Sequence, residues 1–215
     1  MTTDQERTVS MSLGGGVHEG ILGLPETPRG LVVFAHGSGS SRHSPRNQFV
    51  ARQLRQVGMA TLLFDLLSEV EDQVYENRFD IDLLAQRLIQ ASDWVAGQPE
   101  LAELPLGYFG ASTGAAAALK AAAQRPDAIQ AVVSRGGRPD LAGEALPKVE
   151  APTLLIVGGA DTQVIELNKL ARARMRATCE LAIVPGATHL FEEPGTLSQA
   201  AQLAADWFTQ WLKPA

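Results

Sequence analysis

A serine between two glycines is the first residue in this chain with an obvious chemical use. Ser112 is the third residue of Gly-Ala-Ser-Thr-Gly at 110–114, which matches the Gly-x-Ser-x-Gly turn that holds a nucleophilic serine clear of the backbone. Glycines suit a place where strand and helix backbones come too close for side chains. The Thr113 amide, at the start of the next helix, is placed to stabilise an oxyanion. The alternative is a turn that only packs a helix onto a sheet, but the apolar run before it and the alanine tract after it favour a nucleophile.

A serine hydroxyl needs a histidine base within hydrogen-bond distance, and that histidine needs a carboxylate to orient it. Of the four histidines, His189 follows the last predicted strand and lies downstream of Ser112, so we assign it as the base. His36 precedes a Gly-Ser-Gly loop and is expected to brace that loop. His43 is a reserve candidate in the same region, and His18 lies in an opening hairpin with no catalytic argument.

The candidate acid is Asp161, which ends a Val-Gly-Gly-Ala-Asp run after the penultimate predicted strand. It gives the chain order serine, aspartate, histidine in which such triads occur. Asp140, after the preceding strand, is the main competitor, because either strand end could present a carboxylate to the histidine. Asp161 could also cap the next helix, and that role is compatible with catalysis.

Apolar runs alternate with segments of helical periodicity along the chain, which predicts an α/β fold with a mostly parallel central sheet and helices on both faces. Segments 8–13 and 17–24 instead predict an opening antiparallel hairpin. Polar residues just beyond the predicted strand ends are His36, Ser112, Arg135, Asp161 and His189. Ligands of open α/β sheets bind at this edge, so these side chains are expected to gather around one site.

The composition restricts the class of protein. With 215 residues, of which 45% are hydrophobic, one domain over residues 1–215 is expected. A net charge of −6 without any basic block argues against nucleic-acid binding. The polar start lacks the core of a signal peptide and no stretch suits a membrane span, so a cytoplasmic location is expected. The one cysteine, Cys179, lies in an apolar run and is predicted to be a buried structural thiol.

Four motifs together carry a family resemblance. They are His36-Gly-Ser-Gly, the 110–114 turn, Gly-Gly-Ala-Asp at 158–161 and Thr188-His189. With these motifs the chain resembles small α/β-hydrolases of the dienelactone-hydrolase-like group, and the match covers nearly all of residues 36–189. The resemblance implies the α/β-hydrolase fold.

The resemblance also implies roles for particular residues. The triad would be Ser112, Asp161 and His189, with neither a metal nor another cofactor. The loop after His36 would lend an oxyanion-hole amide, assigned to Ser38, to pair with that of Thr113. The chain departs from dienelactone hydrolases in its nucleophile, which is cysteine in those enzymes and serine here.

Two features of the loops bear on the substrate. The connection at 133–152 is too short for the helical cap that many α/β-hydrolases insert, so no cap domain and an open cleft are expected. Arginines in loops at the predicted catalytic edge are Arg42, Arg46, Arg135 and Arg138. Because an arginine fork binds carboxylates well, one hypothesis is an acidic ester or lactone. The alternative is that these arginines hold down an acidic, irregular loop through Glu69, Glu71, Asp72 and Glu76.

The leading functional hypothesis is a serine hydrolase that cleaves a small-molecule ester, thioester or lactone through an acyl-enzyme. A second is a noncatalytic protein of the same fold that binds a ligand or partner; the presence of all three triad positions argues against it. A third is a cofactor-free perhydrolase or haloperoxidase-like activity from the same triad. The sequence predicts neither the acyl and leaving groups nor the oligomeric state.

Overall fold

The computed structural model describes residues 5–214, in which strands and helices alternate. The strands are β1 Gln5–Leu13, β2 Gly16–Leu24, β3 Gly30–Ala35, β4 Met59–Phe64, β5 Leu106–Ala111, β6 Ile129–Arg135, β7 Thr153–Gly158 and β8 Cys179–Val184. The helices are α1 Pro45–Gln56, α2 Glu69–Asp72, α3 Ile81–Ala96, α4 Thr113–Gln124, α5 Thr162–Arg174 and α6 Thr196–Trp211. Two 3₁₀ segments cover Tyr75–Phe79 and Pro139–Lys148.

All of these strands belong to one sheet with the order β1-β2-β4-β3-β5-β6-β7-β8. The predicted hairpin of β1 and β2 is confirmed, and β2 also pairs antiparallel with β4. The other neighbours are parallel. The predicted mostly parallel α/β sheet is therefore confirmed, and β5, the strand that leads to Ser112, lies inside it between β3 and β6.

Helices cover both faces of the sheet, as predicted. Alternate residues of β3 point to opposite faces, so Val33 joins a hydrophobic cluster with α3 and α4, whereas Phe34 joins a second cluster with α1 and α6. Helix α4 approaches the sheet closely because most of its buried residues are alanine; Ala116 and Ala117 are wholly buried. Burial on both faces also explains why the inner strands are mostly apolar.

The acidic segment expected to be irregular contains ordered turns of helix. The Ser68 side chain accepts from the Glu71 amide, and the Glu71 side chain accepts from the Ser68 amide, so the two form a capping box at the start of α2. The Ser-x-x-Glu spacing is a readable signal for such a start.

The connection between β6 and β7 holds only the 3₁₀ segment Pro139–Lys148, and residues 5–214 contain no cap domain, as predicted. Within the same residues, no helix has both the length and the apolar character needed to cross a membrane. Cys179 is half-buried, not fully buried as predicted, because β8 is an edge strand. Its burial still raises the pKa of the thiol to about 11.

A buried hydrogen bond fixes the nucleophile strand to α3. The Ser92 hydroxyl donates to the Leu88 carbonyl (3.0 Å), so the Tyr108 hydroxyl, 2.7 Å from Ser92 Oγ, must be the donor of the second bond. Burial raises the pKa of Tyr108, which keeps that hydroxyl protonated.

We expect Ser92→Ala to destabilise the fold more than Tyr108→Phe. Ser92→Ala leaves the tyrosine hydroxyl buried without a partner, at a cost of about 1–3 kcal/mol, whereas Tyr108→Phe leaves the serine bonded to Leu88 and costs about 1 kcal/mol. Urea unfolding of both variants and of the double variant measures this difference. A larger loss for Tyr108→Phe would contradict the assigned donor direction.

Candidate active site

The predicted nucleophile occupies a strained turn between β5 and α4. Ser112 has φ 51° and ψ −123°, in a region that residues other than glycine rarely adopt. A Cβ atom at Gly110 would lie 2.4 Å from the Ala115 Cα, and one at Gly114 would lie 2.1 Å from the Ala35 carbonyl oxygen. Both glycines are therefore required by close backbone contacts, as the sequence suggested.

The predicted base and acid are in contact. His189 Nδ1 lies 2.7 Å from Asp161 Oδ2, with Asp161 following β7 and His189 following β8. Because an ionised carboxylate only accepts hydrogen bonds, this contact assigns the proton to Nδ1 and leaves Nε2 as the acceptor. The Asp161 side chain makes no capping bond to α5, so the alternative helix-capping role is absent.

Backbone contacts hold together the loops that carry Asp161 and His189. A Cβ atom at Gly158 would lie 2.3 Å from the Ala187 carbonyl oxygen, and that oxygen accepts from the Ala160 amide at 3.0 Å. Thr188 donates to Glu193 through its amide (3.1 Å) and its hydroxyl (2.5 Å), and these bonds lower the pKa of Glu193. Glu193, which no sequence motif singles out, braces the turn that carries His189.

The competing acid, Asp140, faces another residue. Arg138 donates to both of its carboxylate oxygens, from Nε at 2.9 Å and from Nη2 at 2.8 Å. The hydrogen bond with Asp140 also raises the pKa of Arg138. The structure thus brings Asp161, and not Asp140, to His189.

Ser112 and His189 line one cavity of about 240 Å³ at the carboxyl edge of the sheet. Ser38, Arg46 and Arg135 line the same cavity. Within residues 5–214, no three histidine, cysteine, aspartate or glutamate side chains converge into a group that could hold a metal ion. One cavity therefore holds a serine hydroxyl, a histidine and two arginines.

The two amides predicted to form the oxyanion hole, those of Thr113 and Ser38, differ in their hydrogen bonding. Thr113 is the first residue of α4, where helix amides lack intrahelical acceptors, and its role as an amide donor stays a prediction. The Ser38 amide, however, donates to the Thr113 hydroxyl at 2.9 Å. The Ser38 amide thus already has an acceptor in this structure, and its role as the second oxyanion-hole donor stays a prediction.

His36 braces its loop, as predicted. Its Nε2 accepts from the Leu66 amide at 3.0 Å, so its Nδ1 carries the proton and donates to the Gly37 carbonyl at 2.8 Å. Burial lowers the pKa of His36, which favours the neutral ring that both bonds require. His43 is exposed and outside the residues lining the cavity, and His18 is buried with its Nδ1 2.8 Å from the Asp65 carbonyl.

The four loop arginines separate into different environments. Arg42 forms an ion pair with Asp65, and Arg138 pairs with Asp140. Arg46 Nη1 lies 3.9 Å from an oxygen of the exposed Glu192.

Arg135 is buried, with its Nη2 3.3 Å from the Asn47 side-chain oxygen. Asn47 is a cavity residue that the sequence analysis did not single out.

Among the ion pairs of residues 5–214, none joins these four arginines to Glu69, Glu71, Asp72 or Glu76, although Arg42 binds Asp65 at the start of this acidic segment. Its other ion pairs come from other arginines: Arg78 binds Asp72, and Arg87 binds Glu71. The bond from Arg87 opposes the effect of partial burial and lowers the pKa of Glu71.

The chain is similar in sequence to known proteins. A profile of the alpha/beta hydrolase domain family matches residues 28–211. A Mycobacterium tuberculosis protein named as a candidate phosphoribosyl transferase is 63% identical over 193 residues, which cover 90% of this chain and 44% of that protein. The chain thus spans less than half the length of this curated relative, and more than half of that protein lies outside the match.

Solved structures give the same fold. A dienelactone hydrolase from Anabaena variabilis has a TM-score of 0.95 and 55% sequence identity, covering 98% of this chain and 99% of its own. Est1E from Butyrivibrio proteoclasticus has a TM-score of 0.79 with 17% identity, covering 94% of this chain and 98% of its own. The second likeness concerns the fold alone.

The depressed pKa of His36 predicts an effect of pH on stability. The unfolded chain takes up a proton below about pH 6.5 that the folded chain resists, so the free energy of unfolding should fall as pH falls from 7 to 5. One such proton contributes at most about 1.4 kcal/mol per pH unit.

We expect His36→Gln, whose amide can replace both hydrogen bonds, to show a shallower pH dependence than the parent. Urea unfolding across this pH range measures it, and His43→Gln controls for the loss of an imidazole. The same slope for His36→Gln and the parent would show that the buried ring is not the source.

Proposed function

The chain belongs to the α/β-hydrolase family, and from that premise we propose that it is a serine hydrolase that cleaves a small ester, thioester or lactone through an acyl-enzyme. The observation that carries the proposal is the 2.7 Å contact between His189 and Asp161 beside the strained turn of Ser112. A ligand-binding protein would not need a histidine oriented by a carboxylate next to a serine at such a turn.

Acylation begins with the Ser112 hydroxyl in the proposed mechanism. His189 Nε2 accepts the hydroxyl proton while Oγ forms a bond to the substrate carbonyl carbon. Asp161 holds the ring in the tautomer that leaves Nε2 free, and it stabilises the imidazolium that forms. The Thr113 amide donates to the oxyanion. Collapse of this intermediate breaks the bond to the leaving group, which takes the proton from His189.

Deacylation repeats these steps with water as the nucleophile. Water enters from solvent, since residues 5–214 include no cap domain over the cavity. His189 removes a proton from the water and returns it to Ser112 as the acyl group leaves as an acid. The hydrogen bond from Ser38 to Thr113 keeps the loop beside the oxyanion position ordered through the cycle.

We expect Ser112→Ala to lower esterase activity by roughly a thousandfold or more, because the covalent route is lost. The fold should be retained, since one hydroxyl is removed from a partly exposed position. Hydrolysis of short-chain p-nitrophenyl esters and labelling by a fluorophosphonate probe measure this. Labelling of the parent at Ser112 would exclude a binding-only function, and activity of the variant within tenfold of the parent would refute the nucleophile assignment.

We expect Asp161→Asn to reduce kcat far more than Asp140→Asn, because the amide favours the wrong tautomer of His189 and cannot stabilise its cation. Asp140→Asn is the matched control, since it removes a carboxylate that faces Arg138 and not the histidine. Steady-state kinetics on one ester compares the two. A greater loss for Asp140→Asn would assign the acid to the earlier strand end.

A further inference from the structure

Helix α5 carries a polar residue at a core position. Its buried residues are Val164, Asn168 and Ala171, which recur at the spacing of one helix face, and of these three only the asparagine is polar. Asn168 is wholly buried, and its Oδ1 has no hydrogen-bond partner among residues 5–214. Burial of an incompletely bonded amide is unfavourable compared with burial of an apolar side chain, so packing alone does not explain this asparagine.

The side-chain amide of Asn168 joins α5 to another part of the chain. Its Nδ2 donates to the Val164 carbonyl at 2.8 Å and to the Gly137 carbonyl at 3.1 Å. Both acceptors are carbonyl oxygens, so only the NH2 group can face them, which fixes the orientation of the side chain. The Val164 carbonyl also accepts a backbone amide within the helix, so the bond to Gly137 is the one with a distinct structural effect.

Gly137 lies in the segment after β6 that holds the candidate nucleophile. The Ser112 amide donates to the Arg135 carbonyl at 3.4 Å, and the Arg138 amide donates to the Ser112 carbonyl at 3.0 Å. A strained residue keeps its conformation only where its surroundings hold it. These two backbone bonds therefore bear directly on the φ of 51° at Ser112.

One peptide group connects Asn168 to Ser112. The Gly137 carbonyl and the Arg138 amide belong to the same planar unit and point in opposite directions, so its rotation would break both bonds together. Glycine is required before this unit, because a Cβ at Gly137 would lie 1.9 Å from Ser134 Oγ. Since glycine permits rotation of the peptide group more readily than other residues, the bond from Asn168 is needed to fix its direction.

We propose that Asn168 is a positioning residue for catalysis, which acts through the 137–138 peptide group to hold Ser112 in the strained conformation of the nucleophile turn. The inference rests on the proposed function for the reaction, but the hold on Ser112 can be measured without any substrate. Helix α5 begins directly after Asp161. One helix thus connects the loop of the candidate acid to the turn of the candidate nucleophile.

Two substitutions with opposite effects on packing test the amide donor. Asn168→Ala removes the donor and leaves space, whereas Asn168→Leu removes it and adds volume. Both should lower kcat/KM for p-nitrophenyl butyrate by roughly ten- to a hundredfold, because a small displacement of a reacting group has an effect of that size. The rate constant for labelling of Ser112 by a fluorophosphonate probe should fall by a similar factor.

Thr153→Val is the matched control for loss of a buried donor. Thr153 is wholly buried, and its hydroxyl donates to the Ala151 carbonyl at 3.0 Å at the start of β7, the end of the strand far from the candidate site. This variant should keep the kcat/KM of the parent, and urea unfolding compares its stability with that of the Asn168 variants. An equal loss of activity in Thr153→Val, or a loss in only one Asn168 variant, would refute the positioning role.

Amide hydrogen exchange measured by NMR reports on the same peptide group without a substrate. The Arg138 amide should be protected in the parent and in Thr153→Val, and its exchange should rise by roughly tenfold or more in the Asn168 variants. Rapid exchange in the parent, or unchanged exchange in both Asn168 variants, would overturn the proposal.

The two readouts also separate this proposal from the proposed function. Faster exchange in the Asn168 variants of a parent that cleaves no ester would sustain the hold on Ser112 and refute the hydrolase. Ester cleavage by the parent that both Asn168 variants retain in full would refute the positioning role alone.

Discussion

A close contact between the backbones of β3, β5 and α4 is the constraint on which the candidate site depends. A side-chain carbon at Gly114 would meet the Ala35 carbonyl oxygen at 2.1 Å, so α4 can begin where it does only with glycine there. The alanines of α4 continue this close approach along the sheet. The chain reverses within this space by placing Ser112 at φ 51°, which exposes its hydroxyl at the strand end. The close approach of α4 to the sheet thus both packs the core and sets the orientation of the candidate nucleophile.

Charge is distributed unevenly around this turn. Most cations near the catalytic edge have carboxylates: Arg42 has Asp65, and Arg138 has Asp140. The carboxylate of Asp161 is directed at His189. Arg135 differs, since its surroundings are aromatic rings and an amide. Arginines therefore line the same cavity as Ser112 and His189, and such a positive field favours anions over cations inside the cavity.

Local signals predicted the parts of the site that depend on few residues. The turn around Ser112 consists of five consecutive residues, and the close backbone contacts at its two glycines explain its sequence. Asp161 and His189 each follow a predicted strand, which was enough to place both at one edge of the sheet. Contacts between distant residues could not be predicted this way. The Ser38 amide meets a hydroxyl 75 positions away, and Arg135 meets an asparagine 88 positions away. Two strand ends offered a carboxylate to one histidine, and only the fold decides between them.

The chemistry of the single thiol bears on how this chain would behave towards oxidants. Thiolates, not thiols, are the forms that peroxide attacks readily, and a pKa of about 11 leaves Cys179 almost wholly protonated at neutral pH. In the proposed mechanism the nucleophile is an oxygen, which has no comparable oxidation chemistry. A serine instead of a cysteine at position 112 would thus make turnover independent of the redox state of the surroundings. A cysteine enzyme of the same architecture would need reducing conditions to keep its nucleophile, whereas this chain would not.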